Sequence, residues 1–302
     1  MHLTIRFTTY WLLLLLLTPQ VALAKNKPSL NVVVTIKPLH SLVASLMQGV
    51  AEPELLLTTT QSAHHTNLRP SDYRKLAHAN IVFWAGATLE SFIPTLEKKH
   101  QNRTQFISLM EADGVTLLPI RGKHKNSHFE SHVNDPHFWL STNNARKMIT
   151  AITQALINAD VDNKTHYLNN KTQTLNRIDA LEKQLHKKLK NIKAPFITYH
   201  DAYQYFEKEF LLNRIGSVSL NEETTPSIKQ IRLVKQLISQ QQVNCIFFDA
   251  PTKPPIINTL INQTKAQPFE LDAIGIKLNA GPDLWFDLLD KLGKQITQCL
   301  QP

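Results

Sequence analysis

Three histidines and one aspartate stand where side chains of an α/β protein gather around a ligand. His64 follows a strand-like run at Glu54–Thr58, and His137 lies within Asp135-Pro136-His137-Phe138-Trp139-Leu140. His200 ends the run Phe196–Tyr199, and Asp272 ends the apolar run that begins at Phe269. Imidazole nitrogens and carboxylate oxygens are metal donors. The carboxyl ends of strands in α/β sheets form the crevice where ligands collect. Four such donors, drawn from both halves of the chain, suit one metal ion in a cleft between two lobes. The chain has 13 His, so position alone makes these four candidates and no more.

The same donors could serve catalysis, because three His around Zn²⁺ with water in an open position is how hydrolytic zinc sites are built. No His-Glu-x-x-His sequence occurs, and Asp272 would close the open position. The expectation is therefore a binding protein and not an enzyme, with a zinc-dependent hydrolase as the alternative from another class.

The elements that must carry these side chains alternate between strand and helix. Asn31–Ile36 is a strand, and Pro38 opens a helix with Leu39, Leu42, Val43 and Leu46 on one face. Further strands are expected at Glu54–Thr58, Ile81–Trp84 and Gln105–Leu109, with a helix from Arg69-Pro70-Ser71-Asp72 through Leu76. Between Ser141 and Lys193 only helical spacing is found, broken near Asp160 and Asp162; the second helix is long enough to act as a strut. Alternation resumes after Pro195, with strands at Phe196–Tyr199, Val243–Phe248 and Phe269–Ile274 and helices at Tyr203–Phe210, after Pro226 and over Trp285–Leu300. Strands separated by helices pair in parallel. The fold class is α/β: two lobes with central parallel sheets joined by a long rigid helix. The expected boundaries are 25–160 and 194–302 for the lobes and 161–193 for the bridging helix.

The chain starts with Arg6, an apolar run from Tyr10 to Leu17 and the small-residue pattern Ala22-Leu23-Ala24, which reads as a signal peptide (1–24) cleaved after Ala24. The run is too short to span a bilayer. A soluble protein outside the cytoplasm follows, and with no Cys near the cleavage site to take a lipid, a periplasm fits. What remains is long enough for two lobes with a sizeable core. Cys245 and Cys299 are the only cysteines, and in an oxidising compartment a lone pair is most simply a disulfide. The net charge of +9 could point to nucleic acid, but its densest group, Lys183, Lys187, Lys188, Lys190 and Lys193, lies on the strut, where a solvated face explains it.

Five segments carry a family resemblance: Ser62-Ala63-His64, Leu68-Arg69-Pro70-Ser71-Asp72, Asp135 through Leu140, Tyr199-His200-Asp201-Ala202-Tyr203-Gln204-Tyr205-Phe206, and Leu271-Asp272. Together, and in this order over essentially the whole mature chain, they resemble the periplasmic zinc-binding proteins of zinc ABC transporters, within the cluster A-I metal solute-binding proteins. The resemblance implies two lobes on a bridging helix, Zn²⁺ as the transported ligand, and delivery to a membrane permease with a cytoplasmic ATPase. The protein is expected to be a monomer, and the spread of its charge predicts no nucleic-acid partner.

Carried over by position, the family's metal-binding histidines fall on His64, His137 and His200. The related manganese-binding members, the alternative within the family, have Glu where His200 stands. Imidazole suits Zn²⁺, whereas a further carboxylate favours the harder Mn²⁺. Some zinc-binding members have Glu just before the first His; here Ala63 offers no donor, which leaves Asp272, matching the family's second-lobe carboxylate, as the fourth ligand, with water as the alternative. On the family pattern Glu207 and Glu209 lie along a helix away from the metal.

His65 is a bystander whose side chain diverges from that of His64. His40 and His78 are packing or surface residues, and His166 and His186 belong to the strut. A polar stretch, 121–134, holds His124, His128 and His132; its family counterpart is often a longer loop rich in His and acid. Here it reads as a weak, transient metal contact or a plain linker.

Overall fold

The computed structural model of the chain describes residues 30–58, 68–121, 133–219 and 225–301. In the first lobe β1 (Val32–Val34) feeds α1 (Lys37–Met47), where Pro38 presets the helical φ at a place that needs no N–H partner. β2 (Glu54–Leu55) and α2 (Pro70–His78) follow. The start of α2 is fixed by Asp72, whose carboxylate accepts the backbone N–H of Arg69 at 2.8 Å. β3 (Ile81–Trp84), α3 (Ile93–His100) and β4 (Gln105–Ser108) complete the lobe.

Two helices then cross the middle. α4 (Thr142–Ala159) is capped by the Ser141 hydroxyl, which accepts from Asn144 N–H, and ends at Asp160. α5 (Lys164–Leu189) is 26 residues, about 39 Å at 1.5 Å per residue. Its buried stripe is Tyr167, Thr174, Ile178, Leu181, Leu185 and Leu189, spaced at turns of a helix.

The second lobe contains β5 (Phe196–His200), α6 (Gln204–Glu209), β6 (Arg214–Ser219), α7 (Ile228–Gln240), β7 (Cys245–Asp249), α8 (Ile256–Ile261), β8 (Gln267–Leu271) and α9 (Leu284–Leu300). α9 lies so close to α5 that a Cβ on Gly293 would come within 2.5 Å of Leu185. Cys245 and Cys299 are bonded, tying β7 to α9 as expected.

Each lobe holds a four-stranded parallel sheet, ordered β2-β1-β3-β4 and β6-β5-β7-β8. The two orders are the same permutation. Each sheet therefore has its switch point beside its first strand, between β1 and β3 and between β5 and β7, where the loops part to leave a crevice. Alternate residues of the strands face opposite ways. Val32, Val34, Phe83, Phe196 and Phe247 join a core shared with α1, α4, α5 and α9, while Val33 and Val82, and Ile197 and Ile246, pack under the outer helices. One continuous core thus serves both sheets.

Several strands differ from the sequence reading: β1 keeps only Val32–Val34 of the expected Asn31–Ile36, and β7 begins at Cys245, not Val243. β2 is shorter than the run Glu54–Thr58, and β8 is Gln267–Leu271, not Phe269–Ile274. Asp272 ends β8 by drawing the next backbone N–H groups onto its own carboxylate. β6 was not expected: its sequence Arg-Ile-Gly-Ser-Val-Ser is polar, which an edge strand with a single neighbour tolerates. Among the described residues no helix is long and apolar enough to cross a membrane.

Candidate metal centre

His137 sits in the turn before the short 3-10 helix Phe138–Leu140, after Pro136. Its position is set by Asp135. One carboxylate oxygen accepts the His137 backbone N–H at 3.0 Å and meets the ring Nδ1 at 2.7 Å. The other accepts from Gln204 Nε2 at 3.1 Å, and Tyr205 Oη donates to the Asp135 carbonyl at 2.8 Å. α6 thereby holds Asp135, and Asp135 holds the imidazole. Burial pushes the Asp135 carboxyl up, but the His137 ring and these hydrogen bonds outweigh it and keep the group below the usual carboxylate range. A proton on Nδ1 facing Asp135 leaves the Nε2 lone pair for a ligand.

His200 ends β5, at the switch point of the second sheet, and is 2% exposed. Its ring centre lies 5.0 Å from that of His137, with the planes at 72°. Two imidazoles on one tetrahedral Zn²⁺, each at about 2.1 Å, put their ring centres about 5.3 Å apart. The spacing is that of a pair able to share an ion. Trp139 closes one side: its indole is edge-on to His137 and donates to the Ala273 carbonyl at 2.9 Å.

Asp272 follows β8 and is 2% exposed. Its Oδ1 accepts from Ile274 N–H at 3.2 Å and Gly275 N–H at 2.8 Å; the Lys277 N–H is 3.5 Å from Oδ2, too far to saturate it. β7 lies between β5 and β8, so about 10 Å of sheet separates the chain at His200 from the chain at Asp272. A shared ion therefore needs both side chains to reach inward. Among the described residues no group of three or more His, Cys, Asp or Glu side chains is gathered to hold a metal ion. His137 and His200 are brought together. Asp272 is placed on the same carboxyl edge, and His64 and His65 lie outside the described residues, as do His124, His128 and His132.

The other histidines stand apart. His40 is buried, with Nε2 2.9 Å from the Pro53 carbonyl, and burial holds its imidazole below the ordinary value. His78, His166 and His186 are exposed on helices, with His186 edge-on to Phe210.

Two features escaped the sequence reading. Asp201, next to His200, is not directed at the pair: Arg121 donates to both its oxygens, and Arg214 lies 3.0 Å from Oδ2. Arg121 also meets Glu207 at 2.8 Å. Burial pushes the Glu207 carboxyl up against the pull of Arg121 and Arg214. Arg121, Asp201 and Arg214 wall a cavity of about 410 Å³ with Ser219 and Gln230. Asp249, at the end of β7, accepts from Tyr203 Oη at 2.6 Å and adds a carboxylate to the row between His200 and Asp272. Its position after the apolar run Cys245–Phe248 was the available signal. Glu207 and Glu209 lie on α6 as expected. Glu209 turns to the start of α4, accepting from Thr142 N–H at 3.1 Å and from Ser141 Oγ at 2.5 Å.

Comparison with known proteins gives a consistent result. Residues 32–299 match the family model described as zinc-uptake complex component A, periplasmic (ZnuA). The chain is 31% identical to the high-affinity zinc uptake system protein ZnuA of Brucella abortus strain 2308 over 308 residues, covering 89% of this chain and 91% of that one. It is 27% identical to the protein of the same name from Yersinia pestis over 314 residues, covering 96% and 98%. A crystal structure of ZnuA superposes with a TM-score of 0.77 at 19% identity, over 90% of this chain and all of that one, a likeness of fold.

Proposed function

The chain belongs to the family of periplasmic zinc-uptake complex component A, and from that premise we propose how it binds and passes on its cargo. The protein is a periplasmic solute-binding protein of an ABC-type zinc importer, and Zn²⁺ is what it binds. His64, His137, His200 and Asp272 are the ligands, three neutral nitrogens and one carboxylate around one ion. The cleft-bound ion is handed to a membrane permease driven by a cytoplasmic ATPase. The chain acts as a monomer in the periplasm after loss of 1–24, with lobes at 25–160 and 194–302 on a bridging helix at 161–193.

The observation that carries this reading is the His137–His200 pair, ring centres 5.0 Å apart, with His200 at the second sheet's switch point and Asp135 on the far nitrogen of His137. That arrangement presents a basic Nε2 to an ion and fixes its direction. Histidine at position 200 favours Zn²⁺ over Mn²⁺, for which a carboxylate would be the better donor. Binding and release, not catalysis, are the activity, because Asp272 fills the place a hydrolytic water would need.

The test is elemental analysis of protein purified without added metal, followed by competition between Zn²⁺ and Mn²⁺ against a chelator of known affinity. One tightly held zinc per chain is expected. Preference for manganese would overturn the choice of metal, and peptide or ester hydrolysis by the loaded protein, abolished by His137→Ala, would overturn the choice of function.

A further inference from the structure

Lys37 opens α1 directly beyond the carboxyl end of β1, at the crevice edge of the first sheet. Its side chain crosses to the second lobe. The ammonium donates to the carbonyls of Gly275 at 3.2 Å, Ile276 at 3.0 Å and Leu278 at 3.0 Å. An ammonium has three N–H bonds, and three carbonyls of one turn take them. These are the carbonyls of the loop whose N–H groups, from Ile274 and Gly275, hold Asp272 Oδ1. One loop thus meets both charges, its N–H groups at residues 274 and 275 on the carboxylate and its carbonyls at 275, 276 and 278 on the ammonium. Gly275 permits the turn at φ +75. Trp139, two residues after His137, donates to the neighbouring Ala273 carbonyl.

We propose that Lys37 is the positioning residue for Asp272, fixing from the opposite lobe the loop that aims this carboxylate at the metal. Neutralising Lys37 leaves three carbonyls without their donor and frees the loop to turn, so the Asp272 carboxylate loses the backbone frame that orients it. The same contact spans the cleft, so it makes retention of the ion depend on the two lobes being in contact. The inference rests on reading Asp272 as the fourth ligand.

The experiment is a double-mutant cycle on the full mature chain with Lys37→Met, Asp272→Ala and the combination. Zinc affinity is read by chelator competition, and the absorption spectrum of the Co²⁺-loaded protein reports the donor set. Lys37→Met is expected to weaken zinc about tenfold, to shift the cobalt spectrum toward that of Asp272→Ala, and to add nothing once Asp272 is gone. Should Lys37→Met fail to fold, Lys37→Arg, which keeps the cation but replaces a compact ammonium with a planar fork, carries the cycle with the same expected pattern. An equal loss in both backgrounds would show Lys37 acting independently of Asp272 and overturn the proposal. So would an unchanged affinity for the Lys37 variant when Asp272→Ala weakens binding, with the ligand reading left standing. If Asp272→Ala changes neither affinity nor spectrum, the ligand reading itself fails and the positioning role falls with it.

Discussion

Asp135 grips His137 twice, accepting its backbone N–H at 3.0 Å and lying 2.7 Å from its ring Nδ1. A carboxylate on the far nitrogen both orients the ring and raises the basicity of the nitrogen left for the metal. Asp135→Ala is expected to lower zinc affinity about 10- to 100-fold with His137 itself intact. Chelator competition measures this, and an unchanged affinity would mean that packing against Trp139 alone orients the ring.

Replacing His64, His137 or His200 by Ala should weaken zinc binding severely, and Asp272→Ala less, since water can take the place of one carboxylate. His200→Glu should move the zinc-to-manganese affinity ratio toward manganese, because an imidazole is exchanged for a hard oxygen donor. The ratio, not the absolute affinity, is the quantity to compare. If it does not move, donor type does not set the choice.

The stretch bearing His124, His128 and His132 can be removed only with attention to its stem. Ile120 N–H donates to the Val133 carbonyl at 3.1 Å, and Arg121 neutralises Asp201 and Glu207. Deleting 122–132 should leave the first zinc equivalent at nearly full affinity. Extending the cut to Arg121 should cost about 3–5 kcal/mol of stability, since it leaves buried carboxylates short of a cation. Calorimetry and denaturant titration of the two deletions separate these outcomes; a weakened first equivalent in the shorter deletion would bring that stretch into the main site.

Glu90 occupies the switch point of the first sheet as His200 does that of the second. It is fully buried, accepts N–H bonds from Ala85 and Gly86 and takes the Thr35 hydroxyl, and burial pushes its carboxyl up to about 7 from 4.5. Between these values the folded protein binds more protons than the unfolded chain, so stability should fall as pH rises through that window, by about 3 kcal/mol at most. Urea midpoints across pH 4.5–7 should show this slope in the wild type and a flatter one in Glu90→Gln. Equal slopes would assign the dependence elsewhere.

Reduction of Cys245–Cys299, which closes a separation of 54 residues, should cost about 4 kcal/mol in the chain-entropy model. Both sulfurs lie away from the carboxyl edge, on the first residue of β7 and near the end of α9, so zinc affinity should survive below the new melting temperature. Loss of zinc without loss of stability would contradict this division.

The alternation of apolar runs and helical stripes determined the two α/β lobes and their strut, because burial against one core imposes a period of two on strands and 3.6 on helices whatever lies elsewhere in the chain. His137 and His200, whose rings the structure brings to 5.0 Å, were legible as candidates because each stands at a strand end or in a motif that keeps its residue types. The cysteine pair was legible because no other partner exists. The tertiary structure alone decided the rest. β6 carries only Ile215 and Val218 among polar residues and a glycine, too sparse a pattern to read, and Arg121 gives no sign in sequence that it sits between Asp201 and Glu207. Lys37 reads as one surface cation among many, and its three acceptors are backbone carbonyls, which every residue possesses and no sequence marks. Such a contact joins positions more than 200 residues apart, and only the closing of one lobe on the other can choose it.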